Sequence, residues 1–305
     1  MNNSTLTNIS YAYAAPAPQG ATLQSSAMLV ELGISVWTAR KLDKRASDDV
    51  TTQNHADKGM ANVNKRLLAC DELTALQKFA GTVRSSHYAI TLPWSDSGLR
   101  LLTTSKYFAY HKAMSELQDE FNVLIERFLA RYEWLINETQ LKLGTMYDPG
   151  EYPSLDKVRA KFGFRLNYLP LPSAGDFRVD IAAQGAEELR EQYATFYSTQ
   201  LERAMSDIWS RAYEALTRMS ERLDYADGEQ KRVFRDSLVS NVLELIDVME
   251  NMNVTNDPNM QLQQRRLAQA MRGVTPEALR EDGYLRRETK KAVDEALKSL
   301  PSLDW

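Results

Sequence analysis

Basic and aromatic side chains interleave over residues 157–168, where Lys157, Arg159, Lys161 and Arg165 alternate with Phe162, Phe164 and Tyr168. Cations that neutralise phosphates, set beside rings on which bases stack, are what a single-stranded nucleic acid requires. The same pattern also describes a small α+β unit whose rings form its own core and whose cations face water. A unit this small needs its aromatics inside, so the second reading carries more weight. Lys157, Arg159, Lys161, Arg165 and Tyr168 are the candidate contacts for a nucleic acid or a protein partner. Arg265, Arg266 and Arg272 form a lesser cationic group and read as a solvated helix face.

No other residue set spells out a chemistry. His55, His87 and His111 lie in separate segments, with no His-Glu-x-x-His pair of zinc ligands. The chain has no Gly-x-x-x-x-Gly-Lys-Ser/Thr loop to cradle phosphates and no Gly-x-Ser-x-Gly elbow. Ser85-Ser86-His87 lacks the oriented base that a serine nucleophile requires. Glu187-Glu188 and Asp48-Asp49 sit at helix starts or in polar runs, where they serve as dipole partners or solvated charges. Cys70 is the one cysteine, which excludes an intrachain disulfide and a cysteine-rich zinc site. The expectation is a non-enzymatic protein with no catalytic, cofactor or metal residues.

The elements that must position these residues are mainly α. Over Thr103–Leu143, apolar side chains fall at Tyr107, Tyr110, Met114, Leu117, Phe121, Leu124, Phe128 and Leu135, in steps that keep them on one helical face. Ile125 and Tyr132 widen the stripe, as in a helix packed on more than one neighbour. Leu124 is the expected core residue. Gly144 can end this helix, and Thr103, Thr104 or Ser105 can cap its start. A second long helix, Ala186–Tyr225, carries Leu189, Tyr193, Tyr197, Leu201, Ala204, Ile208, Ala212, Leu216, Met219 and Leu223. Its apolar step averages about 3.75, longer than a coiled-coil seam. The two are expected to form a long antiparallel hairpin, with globular packing along it and a small α+β insert at its tip.

Around the hairpin, residues 1–27 read as an uncharged flexible tail and 28–102 as an α+β segment. The tail lacks the basic start and apolar block of a signal peptide. Met28–Trp37 alternates with period two and predicts a strand. Asn62–Gly81 predicts a helix, and His87–Pro93 an extended run. The hairpin occupies 103–228, with its insert at 144–184. In the insert, Leu155–Phe162 predicts a short helix and Phe164–Leu171 and Asp176–Ile181 predict two strands. Residues 229–305 predict a C-terminal helical bundle. Its signals include Asp257-Pro258, Gly273 and Thr275-Pro276, which start and stop helices.

The 305 residues are 43% hydrophobic and 26% charged, with a net charge of −4. That is a globular balance with no global pull toward nucleic acid or an anionic membrane. No apolar run approaches the roughly 18 residues of a membrane span, so a cytoplasmic protein is expected.

The order of the pieces resembles an uncharacterised family of phage and mobile-element proteins. The likeness rests on Ser35-Val36-Trp37-Thr38-Ala39-Arg40-Lys41, on Leu67–Arg84, on Phe128-Leu129-Ala130-Arg131-Tyr132 and on Tyr152-Pro153-Ser154 with Val158–Phe162. It covers roughly residues 30–225, and Arg84-Ser85-Ser86-His87 stands where a Gly-rich turn is expected. Members are often encoded beside a MoxR-type AAA+ ATPase and a von Willebrand A domain protein. The resemblance implies an assembly component or adaptor with one of these as partner, in the host cytoplasm if phage-encoded. Self-association is compatible with it. A nucleic-acid-binding accessory of phage replication or recombination is the alternative.

Overall fold

A computed structural model describes residues 23–171, 183–225 and 235–302. After a single helical turn, α1 (Leu23–Ser26), the alternating segment forms strand β1, Ala27–Ser35. It lies inside a four-stranded antiparallel sheet of order β4-β5-β1-β6, with β4 Leu92–Pro93, β5 Leu99–Thr103 and β6 Gly163–Pro170. Leu29 pairs with Leu101 on one side and with Leu169 on the other. Period two then sorts the side chains onto two faces. Ala27, Leu29, Leu92 and Leu101 join one core, whereas Val30 and Leu102 join another.

Helices cover both faces. On the Val30 face lie α3 (Asp71–Ile90) and α4 (Tyr107–Leu143), which pack on each other. Phe121, Phe128, Tyr132 and Leu135 of α4 meet Leu73 and Leu76 of α3 in a continuous apolar layer. On the Leu29 face lies α6 (Ala183–Leu223), packed on α7 (Ser237–Asn251) and α10 (Gly283–Lys298). With α8 (Pro258–Ala270) and α9 (Pro276–Glu281), these helices bury Ile208, Leu216, Met219, Val242, Leu267, Leu279 and Val293. Asp257 caps α8 and Thr275 caps α9, each ahead of a first-turn proline. Gly273 takes φ +73°, the left-handed conformation that lets the chain turn after α8.

The fold is mainly α with a small antiparallel sheet, and several expectations need correction. The two long helices do not pair: α4 packs on α3 and α6 packs on α7 and α10, on opposite sides of the sheet. An apolar stripe demands a cover without naming which one. The insert is no distant knob either. Its strand β6 joins β1 over the full length of β6, and its helix α5 (Leu155–Arg159) packs on α4. The expected strand Asp176–Ile181, the hairpin's last residues 226–228 and the first residues of the C-terminal bundle, 229–234, lie outside the described residues, as do residues 1–22 of the tail. Ala27, assigned to that tail, is buried in β1.

The stretch expected as a helix from Asn62 contains a strand instead, β3 (Asn64–Arg66), paired with β2 (Arg40–Leu42). The reason is Lys65, whose side chain is 6% exposed. Its ammonium reaches Glu151 Oε2 at 2.6 Å, Asp43 Oδ2 at 3.3 Å and the Met146 carbonyl at 2.9 Å. Burial opposes the charge, yet the two carboxylates outweigh it and raise the Lys65 pKa. Asp43 also caps the following helix α2 (Lys44–Gln53) through the Ala46 amide. Helix α3 starts at Asp71 and runs to Ile90, into the first part of the segment expected to be extended, of which Leu92–Pro93 does form strand β4. Leu73, Leu76, Ala80, Val83 and His87 keep a buried helical face, and Pro93 is what stops its continuation.

Leu124 is half-buried, while its neighbours Phe121 and Phe128 are fully enclosed. Phe128→Ala should destabilise the protein by about 3–5 kcal/mol in urea unfolding. Val123→Ala, on the outer side of α4 and 49% exposed, should stay within about 0.5 kcal/mol. Equal losses for the two variants would mean that the inner face of α4 is misassigned.

Candidate interaction site

The five cationic and aromatic candidates point in different directions. Lys157 and Lys161 are exposed and share the rim of a shallow depression of about 650 Å³ with Glu151 and Ser154. Arg159 is tied to Glu126 of α4 through both guanidinium nitrogens, which raises its pKa. Arg165 lies on the other face of β6, 3.5 Å from Glu31, which also accepts from Asn167. Tyr168 turns toward α4, its hydroxyl 3.1 Å from His111 Nδ1. Phe162 packs edge-on against Phe128 and Phe164 tilts against Phe121. The structure brings Lys157 and Lys161 together, and places neither Arg165 nor Tyr168 with them.

Among the residues with reactive side chains, Cys70 is half-buried and His87 is buried. Cys70 precedes α3, and burial pushes its thiol pKa up, away from the thiolate. His87 is 2% exposed and lies 2.7 Å from the Tyr110 hydroxyl. Burial, and then the nearby Arg100 charge, bring its pKa down to about 4. Two guanidiniums close the end of α3 next to it. Arg211 of α6 donates to the carbonyls of Tyr88, Ala89 and Thr91, and Arg100 donates to the Thr91 hydroxyl and carbonyl. Cations at a helix C-terminus satisfy orphan carbonyls and oppose the dipole. Asp207 balances Arg211 at 2.6 Å. Among the described residues, no three His, Cys, Asp or Glu side chains converge as a metal site, and no helix is long and apolar enough to cross a membrane.

A groove of about 640 Å³ opens where the end of α3, the first half of α4 and α7 meet. Its volume falls in the ordinary range of binding clefts. The floor is apolar and mixes small with large side chains: Ala89, Ala109 and Ala113 lie among Ile90, Leu117, Val248 and Met252. Steps of four along α4 align Ala109, Ala113 and Leu117 on one side of that helix. The rim is acidic, with Glu116 and Glu120 from α4 facing Glu244 and Asp247 from α7. Lys106 is the cation in the lining, and its ammonium is bound to Asp247 at 2.6 Å. A smaller hollow of about 190 Å³ shares Ala89, Glu244 and Val248 and continues toward Arg211, Glu214 and Arg218 of α6. The arrangement offers apolar contact below and negative charge at the edges. Glu116 and Glu120 fall off the apolar stripe of α4. Nothing in the chain links them to Glu244 and Asp247 before the fold does.

Comparison of the chain with protein-family models, curated proteins and solved structures finds no match.

The low pKa of His87 makes stability pH-dependent. Between pH 6.5 and 4 the unfolded chain takes up a proton at His87 that the folded chain does not. Folding stability therefore falls as the pH drops through that window, by about 3 kcal/mol at its lower end from this group alone. His87→Gln should flatten that part of the curve in urea titrations run from pH 7 to pH 4. An unchanged slope would show that His87 is not held neutral.

Proposed function

We propose that this chain is a non-enzymatic interaction protein that holds a cationic amphipathic segment of a partner protein in the groove between α3, α4 and α7. The observation that carries this reading is an apolar floor, with alanines at Ala89, Ala109 and Ala113, under the carboxylates Glu116 and Glu120 of α4 and Glu244 and Asp247 of α7. Alanines allow a helix backbone to come close, and an amphipathic helix laid in a groove is a recurring mode of recognition. The acidic rim favours lysine or arginine at the edges of that helix and repels phosphate. In its fuller form the reading is a phage-type assembly component or adaptor acting in the cytoplasm without a cofactor. Its partner is then an AAA+ ATPase or a von Willebrand A domain protein. The sequence resemblance supports that form.

The alternative is a nucleic-acid accessory protein using Lys157, Arg159, Lys161, Arg165 and Tyr168. The exposed pair Lys157 and Lys161 favours it. The packing of the half-buried Phe162 and Phe164 against α4 and the pairing of Arg159 with Glu126 weigh against it.

A fluorescent helical peptide with an apolar face edged by lysines should bind the intact protein, and more weakly as salt rises. Replacing Glu116, Glu120 and Glu244 together by lysine should weaken binding by roughly tenfold or more and leave the melting curve in place. Equal binding by that variant, or by a peptide with glutamates for lysines, would remove the groove from consideration. Filter binding of single-stranded DNA at two salt concentrations decides the alternative. Salt-sensitive micromolar affinity, lost on removing the four cations, would establish the nucleic-acid reading in its place.

A further inference from the structure

We infer that two copies of this chain pair, antiparallel, through the outer face of α4. The inner face of this helix is occupied by Phe121, Ile125, Phe128, Tyr132 and Leu135. The opposite side carries Ala130, Trp134, Asn137 and Leu141 at steps of four, three and four, the spacing of a two-helix seam. Trp134 is 55% exposed and Leu141 is 87% exposed. Large apolar groups at seam spacing on the outside of a well-packed helix are what a second helix covers.

The occupant is a second copy because the seam is complementary to itself. With the two-fold axis level with the Leu135–Ile136 bond, Ala130 of one copy lies opposite Leu141 of the other, and Trp134 lies opposite Asn137. Each layer then recurs by symmetry, as an isologous contact requires. Small faces large in the outer layers. In the inner layers the indole N–H can donate to the Asn137 amide oxygen. On one flank Arg131 comes beside Glu138 of the other copy, twice. Both charges lie on the flank of the seam with partners in their own chain: the Arg131 guanidinium lies 4.5 Å from the Trp134 ring centroid and is bound to Glu72 of α3, and Glu138 pairs with Lys142. Arg127 falls beside the second copy's Gly144, where α4 ends and a cation is favoured. A parallel pairing would instead set Glu133 beside Glu138, like against like.

The paired stretch rises only about 16 Å along each helix. Such a small contact gives a dimer that exchanges with monomer at micromolar concentration. It also lies about 30 Å along α4 from Ala113 in the groove. Loss of the dimer is therefore distinguishable from loss of peptide binding.

Sedimentation velocity of the full chain from roughly 1 to 200 µM tests the inference. The expected result is a concentration-dependent shift from monomer to dimer. Leu141→Glu should raise the dissociation constant roughly tenfold or more, with an unchanged melting curve because the side chain is exposed. Arg131→Glu and Glu138→Arg should each weaken the dimer, and the double exchange should restore it. A monomer throughout that range would overturn the inference, as would a dimer that survives Leu141→Glu. Failure of the double exchange to restore association would overturn the antiparallel register.

Discussion

Strand β1 is buried on both faces, and the arrangement of the other elements follows from that. Leu29 and Val30 are adjacent in the chain and are 4% and 0% exposed, yet they belong to different cores. One face demands α3 and α4, and the other demands α6 with the C-terminal helices. A slip of one residue in register would exchange the two sets and leave neither core filled. Toward the β6 end the Leu29 face opens, and there the side chains turn polar. Glu31 meets Arg165 and Asn167 there instead of an apolar helix. The two long helices cannot form a hairpin while the strand that both need lies between them.

Much of this was legible in the chain, and the remainder was hidden for physical reasons. The alternation of β1, the long stripe of α4 and the capped starts of α8 and α9 are local patterns that local residues decide. β5 has only five residues, too short a run to declare a strand by itself. The β2–β3 pair is fixed by a lysine whose carboxylate partners come from far along the chain. The helical pattern ends at Gly81, short of the α3 end at Ile90, because a histidine and a tyrosine in sequence do not announce a buried face. The wide α4 stripe did predict several neighbours, and it has them in α3, α5 and the sheet. What a stripe cannot carry is the identity of its cover.

The site was less legible than the fold. Cations and aromatics at 157–168 were visible as types, and Phe162 and Phe164 went inside, as a small unit requires. The groove is built from alanines and glutamates, the least distinctive residues of a helical protein. Their meaning comes from α4 and α7 being set side by side. Helix α4 thus presents three separate surfaces: one to the core, one to the groove and one outward at Trp134 and Leu141. Because the groove and the outer surface are far apart on a rigid element, substitutions at one should add to those at the other without coupling.

The pairing of β1 also sets how the chain reaches this structure. Ala27 must find Thr103, and Ser35 must find Gly163. Both closures span helices that can form earlier from local contacts. Such distant pairings carry a large loop-closure entropy before any contact offsets it, so topology of this kind slows folding. While the sheet is incomplete, β1 is an unpaired apolar edge open to the wrong strand. Synthesis runs from the N-terminus, so β1 leaves the ribosome long before β6 exists. During that interval the nascent chain is most exposed to aggregation, and a chaperone holding its first hundred residues would matter more to yield than any added stability in the finished fold.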